Sequence, residues 1–333
     1  MRTREHLDAV IKAYDVRGVV GEDIDENFVR DTGAAFAAIL REEGENTVAV
    51  GHDMRPSSPS LARAFAEGVT SQGLNVTLLG LTSTDELYYA AGSLECAGAM
   101  FTASHNPAKY NGIKLCRAGA VPVGQETGLE QIKQMLIEGT PEFTGTEGAI
   151  AEQEILAGYA DFLCKLVPLE DSKPLVVAVD AANGMGGHTV PAVFDGLPFD
   201  VRDLYFELDG TFPNHEANPL DPKNLVDLQK FTVDQKADIG LAFDGDADRC
   251  FVVDEKGQPV SPSAICALVA ERYLEKFPGA TIIHNLITSK TVPELIKENG
   301  GTPVRTRVGH SFIKAQMAEH KACLLYTSDA ADE

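Results

Sequence analysis

The chain lacks any C-x-x-C pair. Its six cysteines, at positions 96, 116, 164, 250, 266 and 323, are scattered along 333 residues. That spacing excludes a zinc ribbon and a disulfide framework, and it fits a reduced, cytoplasmic compartment. Nor does any apolar run reach the roughly 18 residues needed to span a membrane. The opening stretch, Met1 to Asp8, is charged and has no apolar h-region, so no secretory signal is expected; the sequon Asn75-Val76-Thr77 then carries no meaning. Positive charge is scarce, with 28 Lys and Arg against 50 Asp and Glu and a net charge of −22. A field of that sign excludes nucleic acid and anionic membrane as natural partners. There is no G-x-S-x-G elbow and no order of Asp and His that suggests a serine-hydrolase triad.

What is present is apolar enough, at 44%, to build real cores. Apolar β-branched runs at 47–51, 75–79, 99–102 and 113–116 alternate with helical spacing at 31–42 and 60–72. In 60–72, Leu61, Ala64, Phe65, Gly68 and Val69 share one face. This alternation predicts βαβ units and an α/β fold. A Gly, Thr, Pro and Glu cluster at 139–148 predicts a linker. Beyond it the pattern resumes with a helix at 155–166, strands at 176–180, 239–243 and 251–254, a helix at 261–275 and a further strand from 281. The strings Val48-Ala49-Val50 and Val177-Ala178-Val179 hint at repeated units, weakly.

Two stretches carry the chemistry. In Thr102-Ala103-Ser104-His105-Asn106-Pro107, a serine follows an apolar strand. Pro107 turns Asn106 away from helical geometry, so the segment must be a loop. A serine hydroxyl needs a base or a metal to act as a nucleophile, and His105 and Lys114 are the nearby candidates for proton handling. In Asp244-Gly245-Asp246-Ala247-Asp248-Arg249, three carboxylates alternate. An extended loop would point them to one side and offer hard oxygen ligands to Mg2+. Arg249 offers a guanidinium fork suited to phosphate. An EF-hand reading fails, because the sixth position is Arg249 and strands flank the loop. A phosphatase of the haloacid-dehalogenase type would use an Asp nucleophile and leave the serine loop unexplained.

The string Thr102 to Pro107 followed by Tyr110-Asn111-Gly112-Ile113-Lys114, taken with the acidic loop, resembles the α-D-phosphohexomutases, the phosphomannomutase/phosphoglucomutase family. Lys12-Ala13-Tyr14-Asp15-Val16-Arg17-Gly18 and Val308-Gly309-His310 are similar to two further segments of that family. The resemblance implies successive similar α/β domains with mixed sheets around a cleft: residues 1–150 with the phosphoserine loop, 151–257 with the metal loop, and 258–323 as part of a third, sugar-binding domain. The chain is expected to stop inside the third domain, with 324–333 as a tail outside the family pattern and a fourth domain absent. The family's sugar-contacting lysine is replaced by Ile287, with Lys290 nearby.

The implied activity is reversible phosphoryl transfer between the 6- and 1-phosphates of mannose or glucose, through a phosphoserine and a hexose 1,6-bisphosphate. Ser104, His105, Lys114, Arg249 and His310 would be catalytic. Ser104, Asp244, Asp246 and Asp248 would hold Mg2+. Tyr14, Arg17, Arg249, Gly309 and His310 would meet the hexose phosphate substrate. The chain would be a monomer or homodimer, and as it stands it is expected to be inactive. A glucosamine phosphate substrate is the rival within the family. A non-catalytic fragment that binds only Mg2+ and phosphate is the rival of another class.

Overall fold

A computed structural model describes residues 3–308 together with 313, 316, 317, 319, 320, 322 and 324–326. Gly309 and His310 lie outside the described residues, so their expected roles have no structural account.

The first unit runs α1 (Arg4–Val10), β1 (Val16–Val19), α2 (Glu26–Glu42), β2 (Thr47–His52), α3 (Ser58–Ser71), β3 (Asn75–Leu81), α4 (Thr84–Ser93), β4 (Ala97–Phe101), β5 (Tyr110–Arg117), β6 (Val121–Pro122), α5 (Leu129–Glu138) and β7 (Ile150–Glu152). Its sheet has the order β1-β5-β4-β2-β3-β7, with β6 beside β5. The strands β4, β2, β3 and β7 are mutually parallel, and β5 runs against both β4 and β1. Helix α2 starts earlier than its apolar spacing predicts, because Asp25 caps it by accepting from the Phe28 N–H at 2.7 Å.

The second unit contains α6 (Leu156–Leu166), β8 (Leu175–Asp180), α7 (Gly186–Val193), β9 (Phe199–Leu204), α8 (Val226–Asp234), β10 (Ile239–Phe243) and β11 (Cys250–Asp254). Its order is β11-β10-β8-β9, with only the β10–β11 pair antiparallel. The third has α9 (Pro262–Lys276), β12 (Thr281–Asn285), α10 (Thr291–Glu298), β13 (Thr302–Thr306) and β14 (Leu324–Tyr326), in a parallel order β13-β12-β14. Within the stretch expected to be a tail outside the family pattern, only 324–326 are among the described residues. Residues 324–326 form a strand, with Leu324 opposite Ile282 and Tyr326 opposite His284.

The core of the first unit explains why the serine loop has a fixed root. Phe36, Phe65 and Phe101 form a chain of ring contacts, at 6.4 Å and 5.5 Å between centroids. All three are buried, and burying each ring contributes about 1.5–3 kcal/mol. Phe101 is the last residue of β4, so the chain leaves the sheet from an immobilised ring. Parallel strands of both units bring their C-terminal ends together, where open α/β sheets place their ligands.

Candidate active site

Ser104 follows β4 and the acidic loop follows β10, and the two segments meet across the first and second units. The Ser104 hydroxyl donates to Asp244 Oδ2 at 2.9 Å, although 140 positions separate them. Arg249 Nη2 donates to the same serine oxygen. The backbone is fitted to this contact at Gly245, where a Cβ would stand 2.4 Å from the Ser104 carbonyl oxygen. A side chain there would push the two loops apart.

Ser104 is buried, at 2% exposure, and has φ of +50°. This left-handed conformation costs a non-glycine residue roughly 1–2 kcal/mol. The Thr102 hydroxyl accepts from the Ser104 N–H at 2.9 Å. On the other flank, Gly112 lets β5 pass close to the loop, since a Cβ there would lie 2.3 Å from the Val16 carbonyl and 2.9 Å from that of Thr102.

The acidic loop is not extended, which corrects the sequence reading. It is a turn closing the β10–β11 hairpin, with the Ala247 N–H donating to the Asp244 carbonyl at 3.1 Å and Ala247 at φ +58°. The turn still gathers the carboxylates, and ligand oxygens of Asp244, Asp246 and Asp248 lie within 4.8 Å of one another. Asp244 and Asp246 are fully buried. Asp244 accepts from the Arg249 backbone N–H at 3.1 Å and Nε at 2.9 Å, and Nη2 completes the ion pair at 2.8 Å. Burial raises its pKa well above the ordinary carboxylate range against the pull of Arg249, and Asp246 and Asp248 add to the rise.

Asp246 is held differently. Its Oδ2 accepts from Lys114 Nζ at 2.8 Å and from the Thr84 hydroxyl at 2.6 Å, both in the first unit. Its Oδ1 is buried and has no hydrogen-bond partner. Burial alone would raise its pKa, but Lys114 and Arg249 outweigh burial and hold it well below the usual range. A charged carboxylate with one buried, unused oxygen is a ready cation ligand. The donor set of three carboxylates beside a serine oxygen suits a hard divalent ion such as Mg2+.

Lys114 also donates to Asp248 Oδ2 at 2.7 Å. Burial works against its charge, but Asp246 and Asp248 outweigh burial and raise its pKa well above the ordinary lysine value. As arranged, Lys114 holds a proton and is not poised to accept one. His105 Nδ1 meets Arg249 Nη2 at 2.6 Å. Since a guanidinium only donates, Nδ1 accepts, and the proton of the neutral ring sits on Nε2.

Arg17 reaches the loop from β1. It donates to the Asn106 side chain at 2.9 Å and pairs with Asp15 at 2.5 Å, while its Nε is buried without a partner. Tyr14 is half-buried in the bend before β1. Ile287 is exposed in the turn after β12.

Three functional neighbours escaped the sequence reading. Thr84 ties α4 to the acidic loop, and its backbone N–H also donates to the Asp246 carbonyl at 3.2 Å. Its signal was available: Ser83 and Glu86 form a capping box that marks the start of α4. Asp53 and Arg55 lie beneath the serine loop, and no local pattern announces a buried guanidinium.

Comparison with known proteins accords with this geometry. Profiles described as phosphoglucomutase/phosphomannomutase alpha/beta/alpha domains I, II and III match residues 8–142, 157–257 and 261–326. A phosphomannomutase from Vibrio cholerae is 35% identical over 319 residues, covering 93% of this chain and 69% of the relative. A phosphoglucomutase from Neisseria meningitidis is 37% identical over 308 residues, covering 92% of this chain and 66% of the relative. The crystal structure of a phosphoglucomutase/phosphomannomutase family protein from Burkholderia thailandensis superposes with a TM-score of 0.90 at 32% identity, covering 98% of this chain and 71% of that one.

Proposed function

The chain belongs to the phosphoglucomutase/phosphomannomutase family of phosphohexomutases, and on that premise we propose that Ser104 carries the phosphoryl group in interconverting the 6- and 1-phosphates of mannose or glucose. The observation that carries this is the meeting of Ser104 Oγ with Asp244 and Arg249 across two units.

In the forward half, the bond between phosphorus and Ser104 Oγ breaks and a bond from phosphorus to a sugar hydroxyl oxygen forms. Oγ leaves with the bonding pair, and Arg249, which contacts that oxygen here, stabilises the charge. The product of this half is a hexose 1,6-bisphosphate. In the return half its other phosphate goes back to Ser104, and the departing sugar oxygen needs a proton. Lys114 holds one at Nζ, and His105 Nε2–H is a second donor. In the forward half the attacking hydroxyl gives up its proton, by way of Lys114 in its neutral form, and Ser104 Oγ ends as a hydroxyl, so the proton balance of the two halves is equal and opposite. Mg2+ on Asp244, Asp246, Asp248 and a Ser104 oxygen would neutralise the phosphoryl oxygens of a loose transition state. Arg17, already at the rim of the serine loop, and Tyr14 would meet substrate phosphate.

The test is incubation of the chain with Mg2+ and glucose 1,6-bisphosphate, followed by peptide mapping. Phosphate is expected on Ser104 and is expected to vanish in Ser104→Ala. Phosphate at another residue, or uptake that survives Ser104→Ala, defeats the reading.

A further inference from the structure

We propose that Arg55 is a positioning residue for phosphoryl transfer, holding the backbone of the serine loop so that Ser104 Oγ faces the acidic loop. The proposal rests on Ser104 being the phosphoryl carrier.

Arg55 is fully buried. Its guanidinium has five N–H donors, and each has a partner. Nη2 donates to the carbonyls of Ser104 at 2.9 Å and Asn106 at 2.7 Å. Nη1 donates to those of Pro107 at 2.9 Å and Tyr110 at 3.0 Å. Nε donates to Asp53 Oδ2 at 3.1 Å. Asp53 is itself buried and fixed from both sides. Its Oδ1 accepts from the Ser58 hydroxyl at 2.6 Å and from the Arg55 N–H at 3.0 Å, and its own N–H donates to the Phe101 carbonyl at 2.9 Å. The loop is therefore tied through Arg55 to the same end of β4 from which it springs.

The geometry divides the labour between two arginines. Arg55 takes the Ser104 carbonyl, and Arg249 takes its hydroxyl. Pulling the carbonyl toward Arg55 turns the side chain the other way, in the left-handed conformation that serine would not adopt alone. A rigid planar fork can bridge four carbonyls, whereas the single ammonium of lysine cannot. The second unit closes over the guanidinium. The ring of Phe212 lies 5.1 Å from Arg55 Cζ, and a Cβ on Gly210 would come within 2.5 Å of Arg55 Cα.

Misplacing a reacting atom by about 1 Å can cost roughly 100-fold in rate. Arg55→Lys is accordingly expected to slow phosphate uptake by Ser104 from glucose 1,6-bisphosphate by about 100-fold. Mg2+ affinity, read by calorimetry on the same protein, should stay within about threefold, since Arg55 touches none of the three carboxylates. Ser58→Ala removes the hydroxyl that donates to Asp53 and accepts from the Asn111 side chain at 2.9 Å, and should give a milder loss, on the order of threefold to tenfold. If Arg55→Lys does not fold, Ser58→Ala decides. A folded Arg55→Lys with wild-type uptake overturns the proposal, as does a Ser58→Ala rate equal to wild type when Arg55→Lys cannot be made. A loss of Mg2+ affinity in parallel with uptake also overturns it, because it would indicate general disruption. Failure of the wild-type chain itself to take phosphate at Ser104 would instead refute the Ser104 reading.

Discussion

Thr84 offers the sharpest perturbation of the cation site, because it lies outside the acidic loop and in the other unit. Its hydroxyl donates to Asp246 Oδ2 at 2.6 Å, in a buried setting. Together with Lys114 it occupies that oxygen, which leaves Oδ1 turned inward and unused. Thr84→Val keeps the shape and removes the donor. A hydrogen bond to a charged group is worth about 1.5–3 kcal/mol. Lys114 still satisfies Asp246, so the low end of that range applies, equivalent to about a tenfold change. That falls at the lower edge of the roughly 10–100-fold loss in metal affinity seen when outer partners of metal ligands are removed. Calorimetric titration with Mg2+ should show Thr84→Val about tenfold weaker than wild type, with Thr84→Ser, which keeps the hydroxyl, within about threefold. If Thr84→Val binds Mg2+ as wild type does, or if the serine variant is as weak as the valine variant, then the hydroxyl does not orient Asp246 and the reasoning fails.

Two further outcomes follow from the same geometry. Gly245→Ala places a methyl 2.4 Å from the Ser104 carbonyl oxygen, so overpacking of about 1–3 kcal/mol should appear in urea unfolding and phosphate uptake at Ser104 should fall by about 100-fold; wild-type uptake would show that the loops do not meet this closely. His215 contacts Asp180 Oδ2 at 3.0 Å, and although burial lowers its pKa, Asp180, with the Glu216 carbonyl and Asp227, more than offsets burial and raises it above the ordinary histidine value. A raised folded-state pKa stabilises fully below the unfolded value of about 6.5 and ceases to do so as pH rises through the folded value. The gap in urea midpoint between wild type and His215→Gln should therefore be widest below about pH 6 and shrink as pH rises above that window, and a gap constant with pH would remove the ionic contribution.

The parts of the fold that could be read in the chain are those where local pattern and tertiary burial agree. The central strands β2, β4, β8 and β10 are covered on both faces, so they read as short apolar runs, and their expected cores at 47–51, 99–102, 176–180 and 239–243 fall within a residue or two of the observed strands. Strand β9 lies at a sheet edge, alternates half-buried and exposed residues, and carries Asp200, Arg202 and Asp203; its run is too polar to announce itself. The acidic loop was legible as a carboxylate cluster but not as a turn, because Ala247 adopts a left-handed conformation that its residue type does not advertise. Arg55 was invisible for a deeper reason. Its four carbonyl acceptors belong to residues 49 to 55 positions further along, and a backbone acceptor has no residue-type signature.

The same long-range assembly resolves a tension in the composition. A chain with a net charge of −22 is a poor host for a sugar phosphate by its overall field. Around Ser104, however, Arg17, Arg55, Lys114 and Arg249 stand among Asp15, Asp53, Asp244, Asp246 and Asp248, so the local balance is close to neutral. Three of those four cations come from the first unit and one from the second, while the three clustered carboxylates all come from the second. The first unit alone sets three cations against two carboxylates, and the second sets one cation against three carboxylates, so the acidic loop is what cancels the local positive charge. Asp53 is spent on Arg55 and Asp15 on Arg17, which leaves the acidic trio as the group within this set whose charge a divalent ion would offset. On this arrangement, anion binding at Ser104 and cation binding at the acidic loop are linked electrostatically, and each should tighten the other.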